Sequence, residues 1–131
     1  MEKFFSISKT AETAGMTAET LRYYDRIGLV TPSKTDKNTG YRYYSQAEIV
    51  RLNTIKALRS MDLSLSEIRN ILEYDDLKKI AEALKQTEAK ADKKIAELRD
   101  AKNKIRRARN FYESKLYGNA FSDNIFLKEF P

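Results

Sequence analysis

Apolar residues in the first 74 positions fall in short groups at helical spacing, divided by turn-forming residues, and from Asp75 onward they settle into one long repeat. Phe5 and Ile7 stand among small polar residues, and Ser8 is placed to cap a short helix through Ala14 that Gly15 stops. Thr17 then caps a second helix with Glu19 in its first turn. Leu21 and Tyr24 follow at helical spacing, and Ala11 lies four residues before Gly15, which is the arithmetic of a helix-turn-helix.

Gly28 ends the second helix and Pro32 bars its continuation. The run Lys34 to Gly40 carries Asp, Asn, Thr and Gly, and Tyr41-Arg42-Tyr43-Tyr44 then resumes a β-favouring pattern, so a hairpin with a lysine-rich tip is predicted. Alternation along its second strand sends Tyr41 and Tyr43 to one face and Arg42 and Tyr44 to the other, with one pair inward. Ser45-Gln46-Ala47-Glu48 is a capping box that opens a core helix carrying Ile49, Leu52, Ile55 and Leu58 to about Ser60. A second box, Ser64-Leu65-Ser66-Glu67, starts a shorter helix with Ile68, Ile71 and Leu72 after a tight corner at Met61 to Leu63.

From Asp75 no Gly or Pro occurs until Gly118. Heptads run through this stretch. One track holds Leu77, Leu84, Ala91, Leu98, Ile105 and Tyr112, and a second holds Ile80, Thr87, Lys94, Ala101, Ala108 and Lys115. A helix from Asp75 to Tyr117 is about 65 Å long at ~1.5 Å per residue, more than a domain of this size covers with its own core. Dimerisation is therefore expected through Leu77, Ile80, Leu84, Ala91, Leu98, Ile105 and Tyr112. The lysines in the second track disfavour a parallel zipper and suit antiparallel pairing, against the alternative of a charged helix projecting into solvent.

These elements divide the chain into a head with a helix-turn-helix and a hairpin over 1–74, a coiled-coil dimerisation helix over 75–117, and a short tail over 118–131. Gly118 and Asn119 suit a C-cap. Phe121, Ile125, Leu127 and Phe130 make the tail too apolar for a solvated end, so it covers something or begins a further domain.

Composition narrows the chemistry. The 131 residues include neither cysteine nor histidine, which removes disulfides, thiolate nucleophiles, imidazole bases and most transition-metal sites. No cofactor and no metal is expected, and without a nucleophile-base pair an enzyme is disfavoured. The N-terminus lacks a signal-peptide apolar run and no stretch approaches the ~20 residues of a membrane span, so the expected address is the cytoplasm. A net charge of +6 favours an anionic partner without naming it. Residues 1–74 carry 11 basic and 9 acidic side chains and residues 75–131 carry 14 and 10, so the excess is not concentrated in the head. Lys102, Lys104, Arg106, Arg107 and Arg109 form a basic block that suits either a solvated face or the acidic start of an antiparallel second copy.

Two clusters, Arg22-Tyr23-Tyr24 and Arg42-Tyr43-Tyr44, put basic side chains beside phenolic hydroxyls, a combination suited to a phosphate backbone. Leu21 and Tyr24 share one side of the second helix, whereas Ala18, Glu19, Arg22 and Arg26 share the other and Tyr23 lies at the boundary. Small Ala18 followed one turn later by Arg22 is a shape that enters a major groove. The same arginines also suit ordinary solvated surface, partly offset by Asp25. Tyr24 and one tyrosine of the strand read as core. Arg59, at the corner before the shorter helix, can touch a phosphate flank or complement its own helix dipole.

Over residues 4 to 117 the chain resembles the MerR family of bacterial transcription regulators. The resemblance rests on FSISKTAETAGMTAETLRYYDRIGLVTP, the hairpin ending GYRYYS, the helix pair AEIVRLNTIKALRSMDLSLSEIRNIL and the long helix after them. It implies a mainly α fold with a winged helix-turn-helix head on an antiparallel coiled-coil homodimer. It further implies binding to double-stranded promoter DNA that is bent and untwisted to control RNA polymerase. Carried over by position, it gives Arg22 and Tyr23 groove and phosphate contacts, Arg42 and Tyr43 backbone contacts from the wing, and Lys34 a weaker contact. Metal- and redox-sensing members use cysteines after the long helix, and this chain has none. The tail looks more like the approach to an effector domain of the drug-sensing branch, with a small-molecule effector that the residues do not name. Two other readings stand beside this one, a DNA-bending architectural or recombination accessory factor without direct polymerase control, and a coiled-coil adaptor whose tyrosines are only core.

Overall fold

A computed structural model describes residues 2–118. The expectations placed on Asn119 and on the apolar tail through Phe130 lie outside the described residues. The chain divides into two compact units at Ala83 and Leu84.

In the first unit, strand β1 (Phe5–Ser6) leads into helix α1 (Ile7–Ala14), followed by α2 (Ala18–Arg26), β2 (Lys34–Thr35), β3 (Arg42–Tyr44), α3 (Gln46–Ser60) and α4 (Leu65–Leu72). The cap of α1 is Ser6, not Ser8. Ser6 is extended at φ −64° and ψ 163°, and its Oγ accepts a 3.1 Å hydrogen bond from Lys9 N. Ser8 stands inside the first turn, where its backbone is already helical. Gly15 ends α1 in the left-handed region at φ 66°, and Met16 N reaches back to Ala11 O at 2.9 Å. An added Cβ on Gly15 would meet Lys56 Nζ, which donates to Ala14 O and Gly15 O.

The expected two-stranded hairpin is a three-stranded antiparallel sheet in the order β1-β3-β2. Phe5 faces Tyr44 and Ser6 faces Tyr43 on one side, while Lys34 faces Tyr43 and Thr35 faces Arg42 on the other. The central strand thus has both edges paired. Lys34 lies on a strand, not at the tip. The tip is built by Asp36, whose carboxylate accepts from Asn38 N and Thr39 N, and by Gly40 at φ 75°. The backbone N–H groups of Thr39 and Asn38 lower the Asp36 pKa, since they bind the carboxylate form.

Both capping boxes form. Glu48 accepts from Ser45 N and Ser45 Oγ at 2.8 Å each, and Glu67 accepts from Ser64 N at 3.0 Å while Ser64 Oγ receives Glu67 N at 3.1 Å. Ser33 Oγ also donates to Glu48. The core gathers Leu21 and Tyr24 of α2, Leu29 and Val30 after it, Tyr44 of β3, Leu52, Ile55 and Leu58 of α3, and Ile68 of α4. Each fully buried aliphatic side chain contributes about 1.5–3 kcal/mol, so a short unit with few apolar residues is held by packing around α3.

Helix α5 covers Leu77–Leu116, shorter by two residues at its start and one at its end than the expected Asp75 to Tyr117. Asp76 stands ahead of its first turn, where its carboxylate accepts from Lys78 N at 2.9 Å. That is a capping role, incompatible with Asp76 being inside the helix. The stretch of α5 in the second unit has no buried residue.

Candidate nucleic-acid interface

The α2 backbone is oriented by its apolar side. Leu21 and Tyr24 are buried, which turns Arg22 and Arg26 outward and leaves Tyr23 at 42% exposure, as the wheel predicts. The Arg26 guanidinium lies 5.6 Å above the Tyr23 ring, a cation–π contact that steadies an exposed aromatic. Ala18, half-buried, follows Thr17, whose Oγ1 accepts Thr20 N at 3.1 Å.

Strand β3 is oriented by Tyr44, which is fully buried. Alternation places Arg42 on the same face, yet Arg42 is not drawn into the core. Its Nε donates to Asp25 Oδ2 of α2 at 2.9 Å, at the margin of the packed region. Tyr43 is half-buried and Tyr41 is exposed, so the expected division into one inward and one outward pair holds for Tyr44 and Tyr41 and is intermediate for the other two. Burial is the main cause that raises the Tyr44 pKa, with the Asp25 charge adding to it, and its hydroxyl has no hydrogen-bond partner among the described residues.

Between α2, the start of α1 and the wing lies an open cleft of about 270 Å³, lined in part by Ser6, Ser8, Arg22, Arg42 and Tyr43. Residues 20 apart in sequence, Arg22 and Arg42, therefore converge on one concave surface. Tyr23 and Ala18 do not line the cleft and belong to the outer side and start of α2. Lys34 is exposed on β2 with its Nζ 5.9 Å above the Phe4 ring, and Arg59 is exposed in the last turn of α3, where its Nη1 donates to Leu63 O at 3.3 Å. Neither Lys34 nor Arg59 lines the cleft.

Three side chains that sequence reasoning did not single out hold this arrangement. Asp25 pairs with Arg42. Arg51 Nε donates to Leu29 O at 2.8 Å and its Nη1 to Leu72 O at 3.5 Å, and Arg69 Nη2 donates to Ile27 O. The last two supply donors to carbonyls just past the end of α2, where a helix has no internal partners to offer. Only distant pairing reveals them, because on α3 and α4 each reads as one more surface charge.

On α5, Leu77, Leu98, Ile105 and Tyr112 are exposed, while Ile80, Leu84 and Ala91 are half-buried. Ile95 and Leu116, outside both predicted tracks, are also exposed and flank the first track. Lys104 pairs with Asp100 and Arg109 with Glu113 along the same helix, so two cations of the basic block have local partners.

A helix-turn-helix followed by a small wing, with two arginines and a tyrosine on the surface between them, defines a winged helix-turn-helix protein. The chain belongs to the MerR family. Residues 5–75 match the model described as MerR HTH family regulatory protein, and residues 49–111 match the one described as MerR, DNA binding. The mercuric resistance operon regulatory protein of Bacillus cereus is 42% identical over 69 residues, 52% of this chain and 51% of that protein. The multidrug-efflux transporter 1 regulator of Bacillus subtilis is 35% identical over 78 residues, 58% of this chain and 28% of that one. The chain thus spans about half or less of the length of these relatives, which are named as regulators and not as enzymes. In fold, the chain is similar to HiNmlR, described as a MerR family regulator lacking the sensor domain, bound to promoter DNA. The TM-score is 0.70 at 24% identity, covering 85% of this chain and 87% of that one.

Proposed function

We propose that this chain is a dimeric, sequence-specific DNA-binding transcription regulator that bends and untwists promoter DNA to control RNA polymerase. The observation that carries the reading is the convergence of Arg22 of α2 and Arg42 and Tyr43 of the wing on one cleft. A guanidinium on a helix and another on an adjacent strand, with a phenol beside them, suit a phosphodiester and the groove edge next to it. Family membership and a structural neighbour described as bound to promoter DNA support the same partner. Tyr23, Ala18 and Lys34 extend the contact set along α2 and β2, and Arg59 adds a phosphate flank.

Residues 1–74 form the DNA-binding head in this reading, and residues 75–117 the dimerisation helix. Leu77, Ile80, Leu84, Ala91, Leu98, Ile105 and Tyr112 make the seam to an antiparallel second copy. The exposed apolar track of α5 supports that pairing, since such a track lowers its free energy by being covered. Residues 118–131 are read as an apolar tail or the start of an effector domain, and the protein works in the cytoplasm.

Titration of a duplex selected by the protein from a random pool tests the reading. Arg22→Ala is expected to weaken binding by ~1–3 kcal/mol, the range for a base-contacting arginine. Unchanged affinity at matched salt removes Arg22 from the interface. Transcription with purified polymerase tests the second half: an architectural factor leaves promoter output unchanged, whereas a regulator alters it.

A further inference from the structure

The pair between Asp25 and Arg42 joins a side chain of α2 directly to a side chain of the wing by opposite charge. Both members are only partly buried, at 26% and 33% side-chain exposure. A pair exposed to that degree adds little to stability. Its consequence lies in where it holds the guanidinium.

Both ends of this link are anchored. Asp25 follows Tyr24, which is buried in the core, and Arg42 precedes by two residues Tyr44, which is fully buried on a strand paired along both edges. Asp25 takes the Nε edge of Arg42 at 2.9 Å. A guanidinium has five N–H donors in a planar fork, so the two Nη groups remain for another acceptor. Arg42 also lines the cleft that it shares with Arg22 and Tyr43. A long flexible cation is thereby fixed in one orientation before any ligand arrives, and the loss of rotamer freedom on binding is reduced.

We propose that Asp25 is a positioning residue for DNA recognition: it orients Arg42 so that the wing and α2 engage the duplex in one fixed register. The inference rests on the DNA-binding reading given above. It has a counterintuitive sign. An acidic group close to a DNA phosphate repels it, so simple charge removal tightens binding to any duplex. Loss of positioning instead weakens the cognate duplex relative to an unrelated one, because register and base contacts depend on the backbone contacts being in place.

The experiment uses the full chain and two duplexes of equal length, one selected by the wild-type protein from a random pool and one scrambled, titrated at several salt concentrations. Wild type is expected to prefer the selected duplex, with affinity falling steeply as salt rises. Absence of salt-sensitive binding by wild type sinks the DNA-binding reading itself, before Asp25 is varied. If wild type binds, Asp25→Ala is expected to lower the ratio of selected to scrambled affinity at least tenfold, with scrambled binding unchanged or tighter. Asp25→Asn, which keeps an oxygen for the Arg42 Nε, is expected to recover part of the ratio and guards against a folding defect in the alanine variant. In an Arg42→Ala background, Asp25→Ala should change the ratio less than twofold, since the two act as one unit. An unchanged ratio in Asp25→Ala, or an undiminished effect in the Arg42→Ala background, overturns the proposal.

Discussion

Apolar side chains meet opposite fates in the two units. Around α3, Leu52, Ile55 and Leu58 disappear completely or nearly so into a core that also takes Leu21, Tyr44 and Ile68, whereas on α5 Leu98 and Ile105 stand 60% and 68% exposed. Helical periodicity is equally regular in both places. What differs is whether other elements of the same chain cover the apolar side. A short helix with three neighbouring elements folds around its stripe, while much of the similar stripe on the 40-residue helix stays exposed. The head is thus covered by its own residues, and the antiparallel pairing proposed above is what would cover the helix.

The largest effect expected to separate the units is on folding stability. Leu52→Ala should destabilise the head by about 2–5 kcal/mol in denaturant unfolding, the range for a buried leucine truncation. Leu98→Ala should leave the unfolding of the same head unchanged when measured well below the dimer dissociation constant. If both shift it equally, the division between a self-covered and an uncovered apolar side is wrong. Next comes assembly. Ile105→Asp is expected to raise the dimer dissociation constant at least tenfold, about 1.4 kcal/mol, by sedimentation, and Val50→Asp, exposed on α3, should not. A smaller effect belongs to Ser64→Ala, which removes one half of the capping box before α4 and should lower head stability by ~1 kcal/mol in the same unfolding assay.

The smallest effect concerns pH. Burial alone would raise the Glu48 pKa, but the hydrogen bonds from Ser33 and Ser45 outweigh it and hold the carboxyl below its usual 4.5. A depressed folded-state pKa contributes stability that is present above the unfolded value and is lost as pH falls through the folded one. The head should therefore lose stability as pH drops below about 4.5. Glu48→Gln is expected to flatten that part of the profile in thermal melts taken across the acid range.

Much of the fold was legible because its punctuation is chemical and local. The two capping boxes, the Thr17 cap and the Gly15 stop each involve residues within a few positions of one another. The short strand Phe5–Ser6 was not, since two residues show no alternation and the segment becomes a strand only by pairing with Tyr43 and Tyr44. Ser8 was read as the cap of α1, but the extended backbone that a cap needs falls at Ser6. On α2, the outward placement of Arg22 was readable from the wheel because Leu21 and Tyr24 fix the opposite side. The placement of Arg42 was only half readable. Alternation gave its face, but its position depends on Asp25, 17 residues away, and no periodicity connects the two. Arg51 and Arg69 were hidden for the same reason, being charges on helices whose acceptors lie beyond the end of α2.

Those two guanidiniums carry a consequence for the heat of binding. With carbonyls at Ile27 and Leu29 already satisfied by α4 and α3, the C-terminal end of α2 is ordered by folding and not by its ligand. Association with a duplex then need not include the large heat-capacity decrease of a segment that folds as it binds. Calorimetry across temperature should register the modest decrease of surface burial alone, and Arg51→Ala, by releasing the Leu29 carbonyl, should make that decrease larger.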